Sequence, residues 1–148
     1  MSVREATGDD VSRLGEIAEA AGLFPADYMP GMIAPFLARE GDMWRVALVD
    51  NRPVGFAFAR LEEMADRTWN ILAIAVEPSH QGQGHASRLL SAMETDLNAR
   101  IILIETTQLE DQARARAFYV AKGYEQQGHI RDFYSEGEDK IVFRKAGK

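Results

Sequence analysis

The run Val76-Glu77-Pro78-Ser79-His80-Gln81-Gly82-Gln83-Gly84-His85-Ala86-Ser87-Arg88-Leu89-Leu90 is the part of this sequence best suited to hold an anion. Glycines at 82 and 84 let the backbone approach a ligand closely. Downstream, Ala86, Leu89, Leu90, Met93 and Leu97 keep a helical period and predict an amphipathic helix. The first N–H groups of such a helix lack internal partners and carry the positive end of its dipole. Loop and helix start together suit a phosphate or pyrophosphate, and Arg88 in the first turn adds a cation. A loop that merely turns the chain would use the same glycines. Two rival phosphate motifs are excluded. No Gly-Lys-Ser/Thr triplet of a P-loop occurs, and Ser87 stands where a dinucleotide fingerprint needs a third Gly or Ala.

Other reactive side chains are few. Glu105 ends the apolar run Ile101-Ile102-Leu103-Ile104, where a lone carboxylate is conspicuous and would be raised in pKa if partly buried. His80 and His85 flank the glycine loop at a spacing unlike that of helical metal ligands. Both, together with His129, are expected at the surface, and no metal is expected. Without cysteine there is no disulfide framework, thiolate metal site or thiol nucleophile.

The elements that must position these groups follow from periodicity and punctuation. Val3–Ala6 reads as a short strand. A helix opened by Thr7 or Gly8 carries Val11, Leu14, Ile17, Ala18 and Ala21, has Asp9 and Asp10 in its first turn, and stops at Gly22. Prolines 25, 30 and 35 leave a short irregular helix over Gly31–Arg39. Met43–Val49 and Pro53–Glu62 are strands joined by the turn-forming Asp50-Asn51-Arg52. Trp69–Val76, apolar on both faces, predicts a strand buried in mid-sheet. After the glycine loop and its helix come strand Ile101–Thr106 and helix Gln112–Lys122, which ends at Gly123. Strands Glu125–Phe133 and Lys140–Arg144 close the chain. The order β-α-α-β-β-β-α-β-α-β-β implies an α/β (α+β) mixed sheet covered by helices.

Size and charge narrow the function classes. With 148 residues and no repeat or linker, one domain over residues 1–148 is expected, large enough for a core without staples. A net charge of −6 with no basic cluster argues against nucleic acid as partner. No apolar run reaches the about 18 residues of a membrane span, and the start lacks the apolar stretch of a signal peptide, so a soluble cytoplasmic protein is expected.

Two separated motifs resemble one known family. Gln81-x-x-Gly84-x-Ala86, with Ile74-Ala75-Val76-Glu77-Pro78 before it, resembles the coenzyme-binding signature of the GCN5-related N-acetyltransferases (GNAT). Ala117-Phe118-Tyr119-Val120-Ala121-Lys122-Gly123-Tyr124 resembles that family's Phe-Tyr-x-x-x-Gly-Phe/Tyr helix end. The resemblance implies a mostly antiparallel central sheet with a splayed middle and helices on both faces. It implies acetyl-coenzyme A as cosubstrate, its pyrophosphate on the N–H groups of Gly82, Gln83, Gly84, His85, Ala86 and Ser87, and its pantetheine paired along Ile74, Ala75 and Val76. The N–H of Val76 would polarise the thioester carbonyl. Tyr119 is implied as the acid for the departing thiolate and Glu105 as the base, the latter as in ribosomal-protein enzymes of the superfamily.

Three positions depart from the usual pattern. Gln81 replaces the commoner Arg, Gln112 stands where an Asn often contacts the coenzyme, and Asn70 stands where many members carry a basic Glu, which leaves Glu105 or an Asn70-oriented water. The family implies that Leu23-Phe24-Pro25 and Tyr28-Met29-Pro30 line the acceptor side. Tyr134 and Asp132, in a tail loosely resembling the ribosomal-protein enzymes, would shape an amine pocket. The expected acceptor is a small-molecule amine. A peptide N-terminus ranks second, and a coenzyme-binding module without turnover is the alternative of a different class. Family members often pair, but the sequence fixes no homodimer.

Overall fold

The computed structural model describes residues 2–147. Its seven strands are β1 (Ser2–Glu5), β2 (Asp42–Val49), β3 (Arg52–Leu61), β4 (Thr68–Val76), β5 (Ile101–Thr107), β6 (Glu125–Ser135) and β7 (Glu138–Ala146). Its α-helices are α1 (Val11–Ala20), α2 (Met29–Leu37), α3 (His85–Asp96) and α4 (Ala113–Ala121). The strand order is β1-β2-β3-β4-β5-β7-β6. β4 and β5 pair in parallel, whereas β1–β2, β2–β3, β5–β7 and β6–β7 are antiparallel. This is the mixed, mostly antiparallel sheet expected. The chain divides into two compact units: Met1–Leu61 with Leu72–Leu97, and Glu62–Ile71 with Asn98–Lys148.

In the first unit β3 explains both layers. Phe56 and Phe58 lie opposite Val46 and Trp44, with the Trp44 ring 5.4 and 4.5 Å from theirs. These side chains are buried with Leu14 and Ile17 of α1 and Met29 and Ile33 of α2. Alternation sends Gly55, Ala57 and Ala59 to the other face. A Cβ on Gly55 would lie 2.8 Å from the Ala75 carbonyl and 3.3 Å from Leu89 Cδ1, so small residues are what let β4 and α3 close in. Arg45, on that same face, reaches Asp96 of α3 at 2.9 Å. Helices therefore cover both faces of this unit's strands. The β2–β3 turn is two residues long, and Asp50 and Asn51 adopt φ of 50° and 63°, the left-handed pair a tight hairpin demands.

Three details refine or differ from expectation. Asp10, in the first turn as expected, is buried, held by Arg4 at 2.7 and 2.9 Å and by the Thr7 N–H at 2.8 Å, so a specific ion pair adds to what the dipole favours. α2 begins at Met29 rather than Gly31, because a proline is tolerated in a first turn. Leu72 is 36% exposed and Ala73 and Ile74 are half-buried, so β4 is not covered on both faces along its whole length. Its described pairing with β5 runs only from Thr68 to Ile71.

In the second unit α4 ends as its sequence directs. Gly123 adopts φ 93°, and the Tyr124 N–H reaches back to the Tyr119 carbonyl at 3.0 Å, a Schellman closure. Tyr119 packs on Phe143 of β7 at 5.8 Å and on Tyr124 at 6.5 Å. β6 and β7 form a long hairpin whose tip is tied by Asp132, which accepts the Gly137 N–H at 2.9 Å.

Candidate active site

The glycine loop has the local geometry of an anion cradle. Gly82 and Gly84 adopt φ of 77° and 87°, a conformation that costs a side-chain-bearing residue strain. Gly84 caps α3, whose first internal bond runs from the Arg88 N–H to the Gly84 carbonyl at 3.1 Å. The N–H groups of His85, Ala86 and Ser87 therefore have no intrahelical acceptor. Gly82, Gln83 and Gly84 are exposed. Gln81 points its amide inward, donating from Nε2 to the Val76 carbonyl at 3.0 Å, and so ties the loop to the end of β4. Just before the loop lie Leu72, Ala73 and Ile74, an apolar stretch left partly open, and then the buried Ala75 and Val76.

Polar contacts flank the loop on both sides. Glu77 is paired with Arg13 of α1 and with His80 Nδ1 at 2.7 Å. Burial pushes the Glu77 carboxyl up, but Arg13 and His80 outweigh it and leave it below the ordinary value. His85, expected at the surface, is instead buried, 1% exposed. Its Nδ1 lies 2.6 Å from Arg88 Nη2. His85 is the first residue of α3, its ring lies 5.9 Å from that of His80, and Arg88 one turn later meets it, as i, i+3 residues do. His80 is half-buried and His129 exposed.

The second unit gathers the candidate proton-transfer groups. Glu105 is not solitary: its Oε2 accepts from Asn70 Nδ2 at 3.0 Å and lies 2.8 Å from Lys140 Nζ. Asn70, 5% exposed, also donates to Glu62 Oε1 at 3.2 Å and bridges the two carboxylates. With both amide hydrogens so engaged, Asn70 Oδ1 is left buried and without a partner. Lys140 sits over the Phe133 ring at 4.1 Å, a cation–π contact. Tyr134 is exposed, yet partial burial, then Glu105 and Glu138, push its phenol up. Asp132, by contrast, has its carboxylate occupied by the hairpin turn.

Tyr119 is 8% exposed, and burial pushes its phenol up to about 12. It is a neutral donor throughout the working pH range of an enzyme. Gln112 stands at the α4 N-cap, where its Oε1 accepts from Thr106 Oγ1 at 3.5 Å. Among the described residues no group of three His, Cys, Asp or Glu could hold a metal ion, and no helix is long and apolar enough to cross a membrane.

Comparison with known proteins decides what this geometry belongs to. Residues 15–124 match the Acetyltransferase (GNAT) family. The chain belongs to that family. An uncharacterized N-acetyltransferase of Methanocaldococcus jannaschii is 26% identical over 98% of this chain and 91% of its own length. An N-alpha-acetyltransferase of Saccharolobus solfataricus is 26% identical over 97% and 92%. A GNAT-family structure from Desulfovibrio desulfuricans superposes with a TM-score of 0.90 at 24% identity, covering 98% of each chain. The ribosomal-protein-S18-alanine N-acetyltransferase of Escherichia coli gives 0.80 at 19%, covering 99% and 94%. An aminoglycoside 6'-N-acetyltransferase complexed with coenzyme A gives 0.80 at 16%, covering 99% and 97%.

In this acetyltransferase the candidate cradle residues fall in one unit, and Tyr119, Glu105 and Gln112 in the other. Sequence reasoning missed Glu62 and Lys140. Glu62 had a legible signal: it directly follows β3, one short loop before Asn70, and its N–H bonds the Thr68 carbonyl at 2.8 Å. Diagonal neighbours across such a hairpin are within reach of long side chains.

Proposed function

We propose that this acetyltransferase moves an acetyl group from acetyl-coenzyme A to a primary amine by direct attack, with a small-molecule amine as acceptor. The observation that carries the reading is the Gln81–Ser87 cradle, exposed from Gln81 to Gly84, with two left-handed glycines, helix N–H groups that have no intrahelical acceptor, and Arg88 alongside. The donor set fits a pyrophosphate: backbone N–H groups, a helix N-terminus and one guanidinium. Gly82 to Ser87 hold the phosphates, and the strand Ile74, Ala75, Val76 aligns the chain that follows, with the open apolar positions supporting it. When bound, the coenzyme supplies the activated acetyl thioester.

The remaining roles fall to this chain's own backbone and side chains. The Val76 N–H polarises the carbonyl under attack. Glu105, held by Asn70 and Lys140, takes the proton of the incoming amine, and Tyr119 gives one to the departing thiolate. Tyr134 and the carboxylates of Glu62 and Glu105 favour a cationic acceptor. No metal takes part, and the chain works as one acetyltransferase domain in the cytoplasm.

A peptide N-terminus is the second reading. The 26% identity to an N-alpha-acetyltransferase over nearly the whole chain favours it. Release of coenzyme A measured against two acceptor panels, small polyamines and aminoglycosides in one and short peptides with a free N-terminus in the other, tests both. Turnover confined to the small amines supports the first reading, and turnover confined to the peptides replaces it with the second. Binding without transfer to either panel would reduce the protein to a coenzyme-binding module.

A further inference from the structure

A buried histidine at the start of α3 has a poor structural justification. His85 is 1% exposed, and its Nε2 is buried with no hydrogen-bond partner among the described residues. An apolar side chain there would leave no polar atom unmet. What the imidazole does is accept. A guanidinium has only donors, so the 2.6 Å contact of Arg88 Nη2 with Nδ1 requires a lone pair on Nδ1 and places the ring proton on Nε2. Burial, then the charge of Arg88 and the neighbouring His80, hold the His85 pKa below its ordinary value, which agrees with a neutral ring.

The consequence falls on Arg88. Its Nη1 lies 3.5 Å from the point where a Cβ on Gly84 would stand, so the guanidinium folds back over the glycine loop. Gln81, meanwhile, is turned inward on the Val76 carbonyl and offers no charge. We propose that His85 is a positioning residue whose Nδ1 lone pair holds the Arg88 guanidinium over the Gly82–Ala86 loop, where Arg88 supplies the phosphate-binding cation that Gln81 does not. This inference rests on the reading of the loop as the coenzyme cradle. It adds how a cation is aimed there by a side chain that touches no ligand.

The test is calorimetric titration with coenzyme A and with pantetheine, which lacks the phosphates. Proteins compared are wild type, His85→Phe, His85→Gln, Arg88→Met and the double variant His85→Phe/Arg88→Met, each checked for folding by circular dichroism. The loss of one charge-assisted phosphate contact predicts a rise of about 10-fold in the coenzyme A Kd for His85→Phe and for Arg88→Met. Pantetheine binding stays unchanged, the Gln variant recovers most of the loss because its amide oxygen can accept, and the double variant is no worse than Arg88→Met. In the wild-type protein without ligand, 15N spectra show His85 as the Nε2–H form with Nδ1 accepting. That readout stands even where His85→Phe fails to fold.

Additive effects in the double variant, equal losses for coenzyme A and pantetheine, no recovery by Gln, or an Nδ1–H ring would overturn the positioning role and leave the cradle intact. Absence of coenzyme A binding by the wild type would overturn the cradle and this inference together.

Discussion

Tyr119 buries its ring against Phe143 and Tyr124, and that burial pushes the phenol up to about 12. A phenol so placed remains a proton donor at every pH at which an alkylamine begins to lose its own proton. Tyr119→Phe is expected to lower kcat by about 100-fold and leave the coenzyme Kd near wild type, which turnover and titration measured together would show. The same burial predicts that no descending limb of the pH–rate profile up to about pH 10 belongs to Tyr119, so the wild-type and Phe profiles keep one shape. Glu105→Gln is expected to depress the rate most at the lower end of the profile, where the acceptor is most fully protonated. An unaltered profile would move the base to a water on Asn70, whose buried Oδ1 has an acceptor position to offer. These residue roles were legible only in part. Tyr119 and Glu105 stand in recognisable places in the sequence, but the partners of Glu105 do not. Lys140 is 35 positions away and reaches it because Glu105 pairs with Val142 in the β5–β7 register.

At the scale of elements, two glycines separate binding from folding. Gly84→Val puts a branched side chain at φ 87° beside Arg88 in an exposed loop, and is expected to weaken coenzyme binding at least 10-fold with a small loss of stability. Gly55→Val puts a Cβ 2.8 Å from the Ala75 carbonyl inside the unit, and is expected to cost about 2 kcal/mol or more in urea unfolding. The first glycine was visible in the sequence, since a turn before an amphipathic helix announces itself. The second was not, since its role comes from α3 and β4 closing on β3. The same contrast holds for the elements themselves. Every strand and helix expected from periodicity is present, with ends moved by a few residues, because alternation and helical period report burial directly. The surface positions expected for His85 and the full cover expected for Trp69–Val76 failed for one reason. Both depended on which neighbours lie above a segment, and periodicity carries no such information.

For the whole molecule, charge links stability and substrate capture to solution conditions. Arg4, chiefly by its hydrogen bonds, holds the Asp10 carboxyl below its ordinary value of 3.8. A carboxyl depressed in the folded state contributes stability above its unfolded value and loses it as pH falls through the folded one. Arg4→Met is therefore expected to lower the urea midpoint more at pH 6 than at pH 3. Equal shifts at the two values would assign the Arg4 effect to packing. The net charge of −6 predicts that KM for a cationic acceptor rises with ionic strength and that KM for a neutral amine does not. The catalytic account rests on the loop between β4 and α3 holding the acetyl donor. Calorimetric titration of wild type and Gly84→Val with acetyl-coenzyme A tests that most directly. Micromolar binding by the wild type that is lost or at least 10-fold weaker in the variant is the expected result. A wild-type protein that binds no acetyl-coenzyme A, or a variant that binds it equally well, would contradict it.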